Sequence, residues 1–403
     1  MKPKLLPALR ASLLGALVSN PGAIGCYAKG GVAAAFAWLG SAQAILAEPL
    51  SGLAAAAPMK LKKVSEGFIY ETAPFPSCHA STIEEASDGT LVSAWFGGEH
   101  EKADDVGIWV SRFSDGKWSE PVEVANGVQF QWQIPQKINN DGRESTTEVQ
   151  RYPTWNPVLF QTKEGPLLLF YKAGPNPDAW WGMLSVSHDY GKTWTRGERL
   201  PEGILGPIKN KPIQLDDGTI LCPSSNETPG EDDRWTVHFE QYNPTTNVWS
   251  RTAPLHDGKA IGAIQPSILR LGGSELLAIG RSRQGRLFEI GSKDNGKTWG
   301  EIGLIDLPNP NSGTDAVTLK SGDHVLIYNH VTKETQEWGG RRSPLNLAIS
   351  RDGKNWEASL ELENTPQKEF SYPAIIQAKD GKLHVTYTWH RLRIKHVVLE
   401  VDN

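Results

Sequence analysis

From residue 64 onward the chain alternates short apolar runs with turns rich in glycine and aspartate. The runs are "GTLVSAWFGG" (89–98), "GPLLLFYKAG" (165–174), "GTILCPSS" (218–225), "SELLAIGRS" (274–282), "DHVLIYNH" (323–330) and "KLHVTYTWH" (382–390). Each is bounded by turn residues and is short for a helix, so each predicts a strand. Ahead of them lie partner strands ending in turns: "TIEEASDGT", "NPVLFQTKEGP", "KPIQLDDGT", "QPSILRLGGS", "DAVTLKSGD" and "PAIIQAKDGK". One hairpin is written six times, and most copies continue into a third strand. About 340 residues shared among six repeats leave roughly 57 each, enough for a four-stranded unit with loop insertions. No long helical periodicity competes. The pattern predicts an all-β chain: a single six-bladed β-propeller over residues 58–403, with no linker and no second domain.

The third strands run into recurring polar turns. "SHDYGKTW" (187–194) returns as "SKDNGKTW" (292–299), a shorter "SRDGKNW" lies at 350–356, and "SRFSDGKW" (111–118) is a degenerate relative. In such a turn glycine supplies positive φ and the aspartate carboxylate accepts backbone N–H groups. The closing tryptophan is then free to pack between strands or blades. The string reads as a structural clasp.

These strings resemble the Asp-box (BNR) repeat, S-x-D-x-G-x-T-W, of sialidases (neuraminidases) and their relatives, and the resemblance covers essentially the whole chain after the leader. It implies a sialidase-like propeller, but the box also occurs in propellers of other activity, so function rests on the site. The family holds a substrate carboxylate with three arginines, whose planar guanidinium groups match it bidentately. A tyrosine assisted by a glutamate is the nucleophile, and an aspartate is the acid/base. A neutral nucleophile avoids repulsion from a sugar that is already anionic at its reacting carbon.

Carried over residue by residue, the resemblance gives Arg281 as the second arginine, with Arg283 and Arg286 as neighbours. It gives Arg342, beside Arg341, as the third, Tyr372 in "EFSYPAIIQ" as the nucleophile, and Asp104 or Asp105 in "EKADDVGIWVS" as the acid/base. Two positions depart from the family. His79 in "FPSCHASTI" stands near the place of the first arginine, and Gln265 in "IQPSIL" stands where the glutamate belongs. An amide takes no proton from a phenol, which leaves Glu227 and Glu240 as substitutes. Each of these residues has a plainer alternative. The arginines serve equally in blade-surface ion pairs, Tyr372 and His79 in the core, and the aspartates as turn caps.

Other polar residues gather before first strands or at the end of the chain: Arg151, Trp155, Asn156, Lys209, Asn210, Asn311, Ser312 and Asp315, then His390, Arg391, Arg393 and His396. A propeller often closes its last strand on its first, which would bring His79 near the C-terminal strands. The excess of Arg, Lys and His there suits an acidic sugar.

Composition narrows the classes. Among 403 residues, 22% are charged and the net charge is −5, with no basic patch, so nucleic acid is not the expected partner. Fifteen tryptophans and 40 glycines suit an all-β carbohydrate-handling protein as well as a Trp-rich core. Residues 1–57 open with Lys2, Lys4 and Arg10, continue in apolar runs interrupted by Asn20, Pro21 and Lys29, and offer Ala42-Gln43-Ala44 for cleavage. They read as an export signal and leader rather than a membrane span, which predicts a periplasmic or extracellular protein. Cys26 falls in the leader, and Cys78 and Cys222 are either a disulfide pair or two buried thiols. No His/Cys cluster calls for a metal, and no cofactor is implied. Three readings follow. The first is an exo-acting, retaining sialidase-like hydrolase of terminal acidic sugars. The second is a lyase on uronate-containing glycans, using His79 and Tyr372. The third is a non-catalytic glycan-binding propeller.

Overall fold

The computed structural model describes residues 59–133, 147–228, 233–332 and 340–402, so residues 1–57, read above as an export leader, lie outside the described residues. The rest is built from antiparallel sheets, one per repeat. The first blade is Ser77–Glu85, Leu91–Gly98, Gly107–Ser114 and Lys117–Trp118, with Val122–Ala125 also pairing to its third strand. The second is Thr154–Gln161, Leu167–Ala173, Trp181–Ser187 and Glu198–Arg199. The third is Ile213–Gln214, Ile220–Thr228, Arg234–Asn243 and Val248–Arg251. The fourth is Ala263–Gly272, Glu275–Ser282, Arg286–Ser292 and Gly303–Pro308, and the fifth is Asp315–Thr318, His324–Tyr328, Leu345–Ser350 and Glu357–Glu363. The sixth is Phe370–Gln377, Leu383–Trp389 and Arg393–Asp402, and its outer strand, Lys60–Phe68, comes from the other end of the chain. A further ribbon, Val128–Gln133 with Thr147–Arg151, stands between the first two blades in sequence.

This is the six-bladed propeller that the repeats predict. The second strands are apolar without alternation because both of their faces pack on neighbours. Every residue of Leu91–Gly98 and of Leu167–Ala173 is buried.

The polar turns are clasps between blades. Asp294 accepts the amide and hydroxyl of Thr298 at 2.8 and 2.6 Å and the Ser292 hydroxyl at 3.0 Å. Asp189 does the same with Thr193 and Ser187. The Thr hydroxyl and amide bonds hold both carboxyls down at about 2. Gly191 and Gly296 take φ of 80° and 78°. A Cβ on Gly296 would meet Leu221 of the preceding blade at 2.5 Å, so the turn closes directly on its neighbour. Trp299 then stacks on Phe239 of that blade, with centroids 3.8 Å apart and planes 6° apart. Trp118 meets His396 of the sixth blade edge to face. The third blade has no box, yet Trp249 after its turn contacts Phe170 of the second blade in the same way.

Cys78 and Cys222 lie in different blades as buried, unpaired thiols. Burial pushes Cys78 up to about 12 and Cys222 well above its ordinary value. The disulfide alternative is set aside.

Where the sixth blade meets the first, Trp118 Nε1 donates to His396 Nδ1 at 3.3 Å, and His396 Nε2 lies 3.0 Å from His384 Nδ1. Accepting from the indole fixes the His396 proton on Nε2, so both rings must be neutral. Burial, with His384 adding to it, holds His396 at about 3.

Two outcomes follow for the scaffold. Trp299→Ala should cost about 3 kcal/mol in urea unfolding, since it removes a stacked inter-blade ring. Between pH 6.5 and 3 the unfolded chain binds a proton at His396 that the folded chain refuses. Stability is therefore full above the unfolded value and falls as pH drops, by on the order of 2 kcal/mol at pH 5. Urea midpoints at pH 7 and 5 should show this slope, and His396→Gln should flatten it.

Candidate active site

Four innermost strands break register near their start. The breaks lie between His79 and Thr82, at Asn156-Pro157 opposite Phe170 and Lys172, between Ile264 and Ser267, and between Ser371 and Ala374. The residue at the head of each break is left-handed: Ala80 at 56°, Asn156 at 36°, Gln265 at 57° and Tyr372 at 50°. Left-handed backbone costs a non-glycine residue roughly 1–2 kcal/mol. Three of these residues precede a proline, which has no N–H to lend the ladder. A bulge of this kind turns its side chain off the strand. Asn156, Gln265 and Tyr372 thereby line one cavity of about 400 Å³.

Tyr372 is the centre of the cluster. Its hydroxyl accepts a bond from Arg281 Nη2 at 2.9 Å, and Arg281 Nη1 donates to the Asn311 carbonyl at 3.1 Å. Arg281 is only 2% exposed, which excludes a blade-surface ion pair. Arg342 places its guanidinium 5.7 Å from the centre of the Tyr372 ring and donates to Glu369 at 3.0 Å. Arg391 donates to the same Glu369 oxygen at 2.8 Å and to Glu101 at 2.6 Å. The backbone carbonyl of Arg391 accepts from Cys78 N at 2.8 Å, so the closing hairpin sits directly beside the first blade. Burial pushes the Glu369 carboxyl up, but the charges of Arg342 and Arg391 outweigh it and hold it below its ordinary value. Two arginines thus flank Tyr372, and Arg391 of the sixth blade joins them through the Glu369 carboxylate that it shares with Arg342.

His79 packs its ring 4.2 Å from that of Tyr372 and bonds Thr388 Oγ1 through Nδ1 at 3.0 Å. Burial, then the charges of Arg391, Arg342, Arg281 and Lys209, drive it well below its ordinary value, so it is neutral at pH 7. Gln265 is 2% exposed, and its Oε1 has no partner among the described residues. Glu227 lines the same cavity. Burial raises it, with Asp233 and Asp178 adding while Arg281 and Arg283 oppose.

The remaining candidates separate. Arg283 lines the cavity, pairs with Asp233 at 2.8 Å and lies 4.2 Å over the Trp235 ring. Asp104 is exposed, and Asp105 accepts the Glu99 amide with both oxygens at 3.1 and 2.9 Å, as a turn cap does. The cavity wall from that loop is Glu101 and Lys102 instead. Glu240 is buried away from the cavity, taking the amides of Leu205 and Gly206 and bonding His238. Asp315 is buried among Lys211, the Ser267 hydroxyl and the Ile375 amide, where it ties blades together. His390 stacks on Trp389 at 3.7 Å, outside the cavity lining. Sequence reasoning missed Glu101, Glu369 and Trp180. Only Glu369 carried a local signal, lying three residues before the tyrosine.

Residues 89–385 match the BNR repeat-like domain. No curated protein matches the sequence. Among solved structures, a protein of unknown function from Dyadobacter fermentans superposes with a TM-score of 0.66 at 16% identity, covering 85% of this chain and 99% of that one. The NanB sialidase of Streptococcus pneumoniae gives 0.61 at 13%, covering 83% and 70%. A sialidase mutant from Trypanosoma rangeli gives 0.59 at 16%, covering 84% and 58%. At these identities the likeness speaks for the fold. With the domain match spanning most of the chain, it follows that the protein belongs to the BNR repeat-like family, as a sialidase-like propeller.

Proposed function

We propose that the protein is a glycosidase that removes terminal acidic sugars of the sialic acid type with retention. The observation that carries this is the Tyr372 hydroxyl, held by the buried Arg281 on a strained bulge, with the Arg342 guanidinium also beside its ring. Arg281, with Arg283 on the same cavity wall, would hold the sugar carboxylate, and Arg342 would add its charge from beside the Tyr372 ring. The Tyr372 oxygen would attack the anomeric carbon as the glycosidic C–O bond breaks. Negative charge on the phenol oxygen gains a charge-assisted bond from Arg281. The phenolic proton would pass to Glu227, whose burial makes it a better acceptor than an ordinary carboxylate. Glu101, on the loop that the family resemblance assigns to the proton donor, would protonate the leaving oxygen. A water that gives its proton to Glu101 would then attack the anomeric carbon as its bond to Tyr372 breaks, and Glu227 would return the proton to the tyrosine oxygen. Several structural neighbours are sialidases or trans-sialidases, including a leech enzyme complexed with 2,7-anhydro-Neu5Ac, which supports the substrate class.

A second reading rests on Gln265 and His79. With an amide at 265, the neutral His79 against Tyr372 is the alternative proton acceptor, and elimination across a uronate needs no nucleophile. The binding-only reading predicts glycan affinity that survives loss of the Tyr372 hydroxyl.

Turnover of a fluorogenic sialic acid glycoside tests the proposal. Tyr372→Phe should lower kcat by about a thousandfold or more while leaving KM within a few-fold. Arg281→Met should lower kcat/KM by at least about a hundredfold, as loss of a charged transition-state contact does. Absence of turnover by the wild type, with an unsaturated ultraviolet-absorbing product from a uronate polysaccharide, would favour elimination instead.

A further inference from the structure

We propose that Lys209, braced by Asn210, is the positioning residue that keeps Tyr372 in its left-handed conformation at the cavity. The proposal rests on the role given to Tyr372 above. Its starting point is the backbone. The bulges at Gln265-Pro266 and Tyr372-Pro373 interrupt their ladders, and the carbonyls beside them must find other donors. Lys209 Nζ donates to the Pro373 carbonyl at 2.6 Å, to the Thr314 carbonyl at 2.8 Å and to Asn210 Oδ1 at 2.9 Å. Asn210 Nδ2 donates to the Gln265 carbonyl at 2.9 Å. Two consecutive residues just ahead of the third blade thus fasten the bulges of the fourth and sixth.

Three acceptors around one nitrogen use all three protons of an ammonium, while a neutral amine has only two. The charge lies 5.7 Å from the Tyr372 ring centre. A Cβ on Gly313 would stand 3.0 Å from Lys209 Cε and 3.2 Å from Tyr372 Cδ2, so a bare backbone closes over both. Lys209 is 5% exposed and does not line the cavity, so it acts through the tyrosine and not on a ligand. Isolated, such a group would be strongly destabilising. Burial lowers Lys209 to about 7, with Lys211 and Arg281 adding to the effect and Asp315 favouring the charge. Arg342 and His79 face the same phenol from the fifth and first blades.

The test uses the full chain with Lys209→Met, Lys209→Arg and Asn210→Ala. On the fluorogenic sialoside, Lys209→Met should lower kcat about a hundredfold with KM within about threefold, the size expected for a misplaced reacting group. Lys209→Arg should recover part of that loss. Amide hydrogen exchange over 370–377 should quicken in Lys209→Met while Leu167–Ala173 stays unchanged. A kcat that falls only with the folded fraction, or exchange at 370–377 equal to wild type, overturns the proposal. If the wild type turns over no sialoside, the glycosidase reading fails and the exchange measurement alone decides the role of Lys209. If Lys209→Met does not fold, Asn210→Ala decides it: unchanged kcat and unchanged exchange overturn the proposal, and a kcat loss of about tenfold with faster exchange supports it.

Discussion

The arrangement around Tyr372 depends on a broken ladder. A regular innermost strand would send alternate side chains into the two blade interfaces and none toward the axis. The bulges turn Asn156, Gln265 and Tyr372 into one cavity, and proline after each removes the donor that a regular ladder would need. The cost at these bulges is left-handed backbone at four non-glycine residues, tolerated because the strands around them are closely packed.

Charge is sorted within this frame. Arg281, Arg342 and Lys209 all lie within 6 Å of the Tyr372 ring centre, and Arg391 shares Glu369 with Arg342. The carboxylates Asp178, Glu227 and Asp233 stand on the cavity wall. A further positive charge at His79 would add to this repulsion, and burial keeps that ring neutral. Trp235, beneath Arg281 and Arg283, lets two guanidinium groups share one face-on aromatic surface.

The sequence displayed the scaffold plainly, since hairpins and clasps are local patterns repeated several times. Tyr372, Arg281 and Arg342 were legible through the resemblance, and the structure brings them together. Arg391 was legible only as a substrate-binding candidate within a C-terminal basic cluster, without a matching family position. Its nearness to Cys78 is a contact across more than three hundred residues, fixed by ring closure and by no local pattern. Glu101 and Asp104 share a loop, and only the turn that Asp105 caps decides which carboxylate faces inward. Lys209 and Asn210 looked like loop polar residues because the carbonyls they satisfy belong to other blades. The x-Pro pairs at 156, 265 and 372 were an available signal, visible as a repeat only once the register breaks are seen.

The pairing of Lys60–Phe68 with Arg393–Asp402 has a consequence for synthesis. The outer strand of the sixth blade emerges from the ribosome first and waits for the rest of the propeller to be translated before its partner exists. Until then it is an unpaired edge, the kind of surface that recruits foreign strands. Its exposed positions carry Lys60, Lys62, Lys63 and Glu66, charges that keep a waiting edge from aggregating. Because Tyr372 belongs to the final blade, nascent chains short of that blade hold an incomplete pocket, and the cavity is finished only when the first strand finds the last.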